Sequence, residues 1–162
     1  MILLVRADER LIHGQTMQFI VPENSITRII VVDDLTATNA LLKSIFETAV
    51  PKHISATVHT VEESRIPIEE ALKDDVKTLL LIRAPRVFEM LRLRVSGLPD
   101  VLNIGSQMAR NGVKCTEYAT LLPEDITACV ALASENVRVY FNAIGTSGAI
   151  VEWASVAKNL KL

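Results

Sequence analysis

Six short runs rich in Ile, Val and Leu recur along the chain: Ile2–Val5, Ile29–Val32, Thr57–Val61, Thr78–Ile82, Val101–Ile104 and Val137–Phe141. Each is too short for a helix and apolar enough for a strand buried on both faces. Segments of helical spacing lie between them. Over Thr38–Ala49 the residues Leu41, Leu42, Ile45 and Phe46 repeat on one face and Pro51 follows the end. Ile68–Leu72, Arg86–Leu93 and Pro123–Leu132 read the same way, and Pro123 suits a first helical turn with Glu124 and Asp125 beside the positive end of the helix dipole. Strands alternating with helices over short connections build a parallel sheet. The expected fold is therefore α/β, an open, mainly parallel twisted sheet with helices on both faces. Lys114–Leu122 interrupts the alternation and reads either as an extra antiparallel edge strand or as a long loop.

A chain of 162 residues fits one domain over 1–162, large enough for a core without metal or disulfide support. Its hydrophobic fraction of 49% with only 4% aromatic residues points to an aliphatic core. The net charge of −2 argues against a nucleic-acid binder that relies on bulk positive charge. Met1–Val5 reaches Arg6 too soon for a secretory apolar region, and no later run is long enough for a membrane span, so a cytoplasmic location is expected. Cys115 and Cys129 stand in no ligand-like pattern and read as ordinary small side chains. No metal and no cofactor is expected. Nucleotide-binding glycine motifs are missing, and Gly145-Thr146-Ser147-Gly148 reads as a turn. His53 and His59 flank the third run and have no evident partner for chemistry.

The stretch with most chemical content is Arg6-Ala7-Asp8-Glu9-Arg10-Leu11-Ile12-His13-Gly14-Gln15, directly after the first run. In doubly wound sheets ligands bind at the carboxyl ends of strands, where this stretch falls. A neutral imidazole at His13 is a competent nucleophile toward phosphorus. Arg6 and Arg10 carry cationic forks matched to phosphate oxygens. Asp8 or Glu9 can fix the tautomer of the ring, and Gly14, Gln15 and Thr16 can open a helix whose free N–H groups favour an anion. Arg6 is assigned either to the phosphate or to bracing Asp8 and the loop. Leu11 and Ile12 are expected to anchor the loop inward.

That stretch strongly resembles the active loop of the IIB component of the mannose/fructose/sorbose family of the bacterial phosphoenolpyruvate-dependent sugar phosphotransferase system. The resemblance continues through Arg28-Ile29-Ile30-Val31-Val32-Asp33-Asp34, Leu102-Asn103-Ile104-Gly105, Arg110-Asn111-Gly112 and Leu122-Pro123-Glu124-Asp125-Ile126, in collinear order. It implies a phosphocarrier on which His13 accepts a phosphoryl group from a phosphohistidine of a IIA protein or domain. His13 then passes it to a sugar bound by the IIC/IID membrane complex, with Arg6, Asp8, Arg10, Gly14 and Gln15 around the histidine. It also implies a protein that visits the inner face of the cell membrane; self-association is left open. A regulatory phosphohistidine module of the same fold is the alternative. Ala7, Phe19-Ile20 and Ser106-Gln107-Met108 depart from the family pattern and bear on partner contacts and sugar identity rather than on the phosphoryl chemistry.

Two further expectations concern geometry. Reached by two partners in turn, His13 should lie exposed on a shallow surface, with the largest cavity elsewhere. Asp33 and Asp34 either lie beside His13, if the first two strands are neighbours, or cap a helix with Thr36 or Thr38.

Overall fold

The computed structural model describes residues 1–145 and 148–162. Its main sheet has seven strands: β1 (Ile2–Ala7), β2 (Arg28–Val32), β3 (Ser55–His59), β4 (Thr78–Ile82), β5 (Val101–Ile104), β9 (Arg138–Phe141) and β10 (Val151–Glu152), in the order β10-β9-β5-β1-β4-β2-β3. All neighbours are parallel except β10, which runs antiparallel to β9 at one edge. Three short strands, β6 (Gln107–Met108), β7 (Val113–Thr116) and β8 (Ala119–Leu121), form a separate sheet in the order β6-β8-β7. The interruption at Lys114–Leu122 is thus a β7–β8 hairpin paired to β6, and the antiparallel edge of the main sheet comes instead from β10.

The helices are α1 (Val21–Glu23), α2 (Asp34–Ala37), α3 (Ala40–Thr48), α4 (Arg65–Lys73), α5 (Pro85–Arg92), α6 (Pro123–Ser134) and α7 (Trp153–Leu160). A π-helical turn over Thr16–Ile20 leads directly into α1.

Central strands read as unbroken apolar runs because both faces are covered. Ile30, Val32, Leu80 and Ile82 join one cluster with Phe88 and Leu91 of α5, Leu132 of α6 and Trp153 of α7. The intervening Ile29, Val31, Leu79 and Leu81 join the other, with Ile20 and Val21 around α1 and Phe46 of α3. The period of two decides the face. Ile2 and Val5 share a face although they are three residues apart, because the β1–β4 register shifts between Ile2 and Leu4. That shift also sends Arg6 to the side of Leu4 and the second cluster.

β1 continues two residues past the apolar run, so Arg6 and Ala7 are strand residues, paired with Leu81 and Ile82 on one side and Asn103 and Ile104 on the other. With β4 on one side and β5 on the other, β1 lies where the chain changes direction across the sheet, a common place for a site in such folds.

Candidate functional site

Three backbone hydrogen bonds shape the exit of β1. Asp8 N–H donates to Ile82 O at 2.9 Å, Gly105 N–H to Ala7 O at 2.8 Å, and Glu9 N–H to Ser106 O at 3.0 Å. The loop is therefore stitched to the ends of β4 and β5 before it turns. Leu11 N–H then closes back on Asp8 O at 3.0 Å, with Leu11 in the left-handed region at φ 54. A leucine there is strained, and complete burial of its side chain offsets the cost. Ile12 is also buried, so both apolar loop residues anchor inward as expected. Helical structure opens at Gly14 and Gln15, and Met17 N–H reaches His13 O at 3.0 Å. A Cβ placed on Gly14 would meet nothing within 4 Å, so the space above this helix start is open.

Asp8 is the hub. Its side chain has no exposed surface, yet it meets three cationic or potentially cationic groups. Arg6 Nη2 donates to Oδ2 at 3.0 Å from one side. Arg10 grips the carboxylate from the other, Nε to Oδ1 at 3.1 Å and Nη2 to Oδ2 at 3.2 Å. His13 Nε2 lies 3.3 Å from Oδ2. Burial alone would raise the Asp8 pKa, but hydrogen bonds from His13 and Arg10 and the charge of Arg6 outweigh it and hold the carboxyl well below the usual range. Asp8 is therefore an anion and can only accept from the ring, which places the histidine proton on Nε2. Nδ1 carries no hydrogen bond among the described residues.

The two arginines differ. Arg6 is 1% exposed; besides Asp8 its Nη groups donate to Asn103 Oδ1, Asn142 O at 3.0 Å and Ala143 O at 3.1 Å, while Nε is buried without a partner among the described residues. Desolvation lowers its pKa, and Asp8 works against that. Of the two roles left open for Arg6, its position supports bracing: a guanidinium this enclosed is not available to an incoming phosphate. Arg10 is 38% exposed and is steadied by Gln15, whose Oε1 accepts from Nη1 at 3.0 Å. His13 has only 16% of its side chain exposed, more covered than a shallow surface site implies, because Asp8 draws the ring down onto the loop.

Asp33 and Asp34 do not join this group. β4 lies between β1 and β2, and Asp33 caps α2, accepting from Thr36 N–H at 3.0 Å and Thr36 Oγ1 at 2.6 Å. Arg83 bonds both Asp33 oxygens, at 2.7 and 2.8 Å, and sends Nη1 to Glu9 O at 2.8 Å. Asp34 accepts from Val61 N–H at 2.7 Å. Nothing in the sequence alone assigns Arg83, Asn103 or Gly105 a role in the site. The available signal was a polar residue or glycine at the end of a buried strand in a parallel sheet, where neighbouring strand ends converge.

Other sites stay apart. A cleft of about 110 Å³ is lined by Leu4, Ile20, Tyr140 and Ile150 among others, and not by His13. His53 is exposed, and burial, then Lys43, pushes the His59 pKa down. Cys115 and Cys129 are free thiols. Among the described residues no cluster of His, Cys, Asp or Glu is placed to hold a metal ion, and no helix is long and apolar enough to cross a membrane. Thr146 and Ser147 of the glycine-flanked turn lie outside the described residues.

Fold and site together define a doubly wound α/β protein with a histidine held against an arginine-flanked carboxylate at its strand ends. The chain belongs to the family described as PTS system sorbose subfamily IIB component, whose model matches residues 2–161. It is 24% identical over 161 residues to the PTS system fructose-specific EIIB component of Bacillus subtilis, covering 98% of this chain and 97% of that protein. It is 28% identical over 145 residues to the PTS system mannose-specific EIIAB component of Escherichia coli, covering 88% of this chain and 44% of that longer protein. The crystal structure of the IIBSor domain of the sorbose permease from Klebsiella pneumoniae superposes with a TM-score of 0.83 at 24% identity, covering 98% of this chain and 96% of that one. Membership implies a phosphotransferase component of sugar uptake that works with IIA and IIC/IID partners.

Proposed function

We propose that this chain is a phosphocarrier over a single IIB domain, 1–162, on which His13 takes a phosphoryl group from a phospho-IIA protein or domain. It then delivers the group to a sugar held by a IIC/IID complex at the inner face of the membrane. The observation that carries the reading is the contact between His13 Nε2 and an ionised, buried Asp8. With Nε2 protonated, the lone pair of Nδ1 is the nucleophile. The bond from the donor nitrogen to phosphorus breaks as the bond to Nδ1 forms, and the acceptor ring becomes cationic. Asp8 stabilises that cation without taking its proton.

Arg10, half in solvent, is the group able to turn toward the phosphoryl oxygens, with Gln15 steadying it until then. The Gly14–Gln15 helix start adds N–H groups on the open side. Arg6 organises the loop. Catalysis of this kind is mostly alignment and charge stabilisation, for which no further base is required. In onward transfer the sugar hydroxyl oxygen bonds phosphorus as the bond to Nδ1 breaks; the ring, protonated on Nε2, leaves as neutral imidazole, and its freed Nδ1 takes the hydroxyl proton.

Incubation with a phosphorylated IIA protein is expected to give an acid-labile, base-stable adduct on His13. His13→Ala abolishes it while the unfolding midpoint stays near wild type. An adduct of equal yield on His13→Ala sinks the reading.

A further inference from the structure

Apart from Asp8, the polar groups around Arg6 come from segments remote in sequence, and one point is unusually tight. A Cβ on Gly105 would stand 2.5 Å from Asp8 Oδ2 and 2.6 Å from Arg6 Cζ, inside the contact distance of either group. Both are fully enclosed, so neither can give way as the end of a surface side chain would. Gly105 is therefore the place where the backbone of β5 passes beside the ion pair, held there by its N–H bond to Ala7 O. Two residues earlier Asn103, 2% exposed and in register with Arg6, offers Oδ1 to Arg6 Nη1. Asn142 O shares that nitrogen, which leaves the Nη2 edge to Asp8 and Ala143 O. Asn103 is neutral, so it orients the guanidinium without competing for its charge.

Building on the phosphocarrier reading, we propose that Asn103 and Gly105 are positioning residues for His13. Asn103 turns Arg6 so that one edge faces Asp8, and Gly105 leaves the space in which that pair closes. Asp8, held in this way, presents its Oδ2 to the ring and keeps Nδ1 outward. An aspartate at 103 would split Arg6 between two carboxylates. A methyl group at 105 would wedge the pair apart. In either case Asp8 turns, and the ring loses the partner that selects its tautomer.

The test compares wild type, Gly105→Ala and Asn103→Asp in the full chain. Nitrogen-15 shifts of the His13 ring report the tautomer, carbon-13 shifts of the Asp8 carboxyl report its titration, and the initial rate of labelling by a phosphorylated IIA protein reports transfer. Both variants are expected to lose the Nε2-protonated preference, to titrate Asp8 at higher pH, and to accept phosphoryl roughly 10- to 100-fold more slowly, the scale of a small misplacement of a reacting group. Wild-type tautomer and wild-type Asp8 titration in a folded Gly105→Ala protein overturn the proposal; if that variant does not fold, the same result in Asn103→Asp does so. The spectroscopic readouts need no phosphate donor. A wild-type protein that shows the fixed tautomer yet never labels would refute the phosphocarrier reading and leave the positioning roles standing.

Discussion

Two carboxylates sit at strand ends on the same edge of the sheet, each against an arginine, and they differ in what they leave unfinished. Asp33 has both oxygens on Arg83 and a further bond pair with Thr36, so its capacity is spent on tying α2 and β4 together. Asp8 has one enclosed arginine behind it and, in front, a half-exposed arginine and a histidine with a free ring nitrogen. A closed pair of this kind is architecture. An open one, where burial has been met from the inside and the outer partners remain movable, is equipped for chemistry.

The largest expected contrast is in stability. Asp8→Ala strands the Arg6 charge inside the protein and should cost about 3–5 kcal/mol. Asp33→Ala removes a helix cap but leaves Arg83, 35% exposed, able to reach water, and should cost about 1–2 kcal/mol. Urea unfolding of the two variants checks this, and equal losses would erase the distinction.

Acid titration sharpens the same comparison. Both carboxyls are held below their ordinary values, Asp8 further than Asp33, by partners that outweigh burial. A depressed folded-state pKa means stability that is fully present above the unfolded value, 3.8, and is lost as pH falls below it toward the folded value. Asp125 works in the opposite sense, since burial raises its pKa despite Arg86. Urea midpoints measured from pH 6 down to pH 2.5 should fall steeply in wild type, less steeply in Asp33→Asn and least in Asp8→Asn. An Asp8→Asn curve parallel to wild type would contradict the assignment of Asp8 as the buried hub.

The smallest effect tests the outer partner. Arg10→Lys keeps the charge but loses the fork that spans Asp8 and Gln15. Stability should change by less than about 1 kcal/mol, as for exposed ion pairs. Phosphoryl acceptance should fall by about tenfold, the weight of one charge-assisted hydrogen bond. A rate unchanged from wild type would mean that Arg10 serves Asp8 alone.

Much of this was legible in the chain because apolar periodicity maps directly onto buried strands. Thr78–Ile82 and Val101–Ile104 match β4 and β5 residue for residue, α6 begins at Pro123, the proline that suits a first helical turn, and α5 begins at Pro85, one residue before the helical pattern at Arg86. The apolar run ends at Val5, two residues before β1 does, because a buried Arg6 is not a strand signal until its partners are known. The cluster of Arg6, Asp8, Arg10, His13 and Gln15 was visible since it spans one turn of chain, where proximity in sequence forces proximity in space. Asn103, Gly105 and Arg83 carried no such mark, as their distance from the loop is closed only by strand pairing.

By itself the sequence determined the approximate places of the six parallel strands and of the helices α3, α4, α5 and α6, that the sheet is mainly parallel, and that one loop concentrates histidine, arginine and carboxylate. Hydrophobic period and local chain geometry suffice for all of these. Only the tertiary structure decided that Arg6 faces inward and Arg10 outward, that Asp33 belongs to a helix cap, and which nitrogen of His13 is left free. Each of those outcomes depends on groups from other strands that compete for the same hydrogen bonds, and the ordering of strands in the sheet sets who is present to compete.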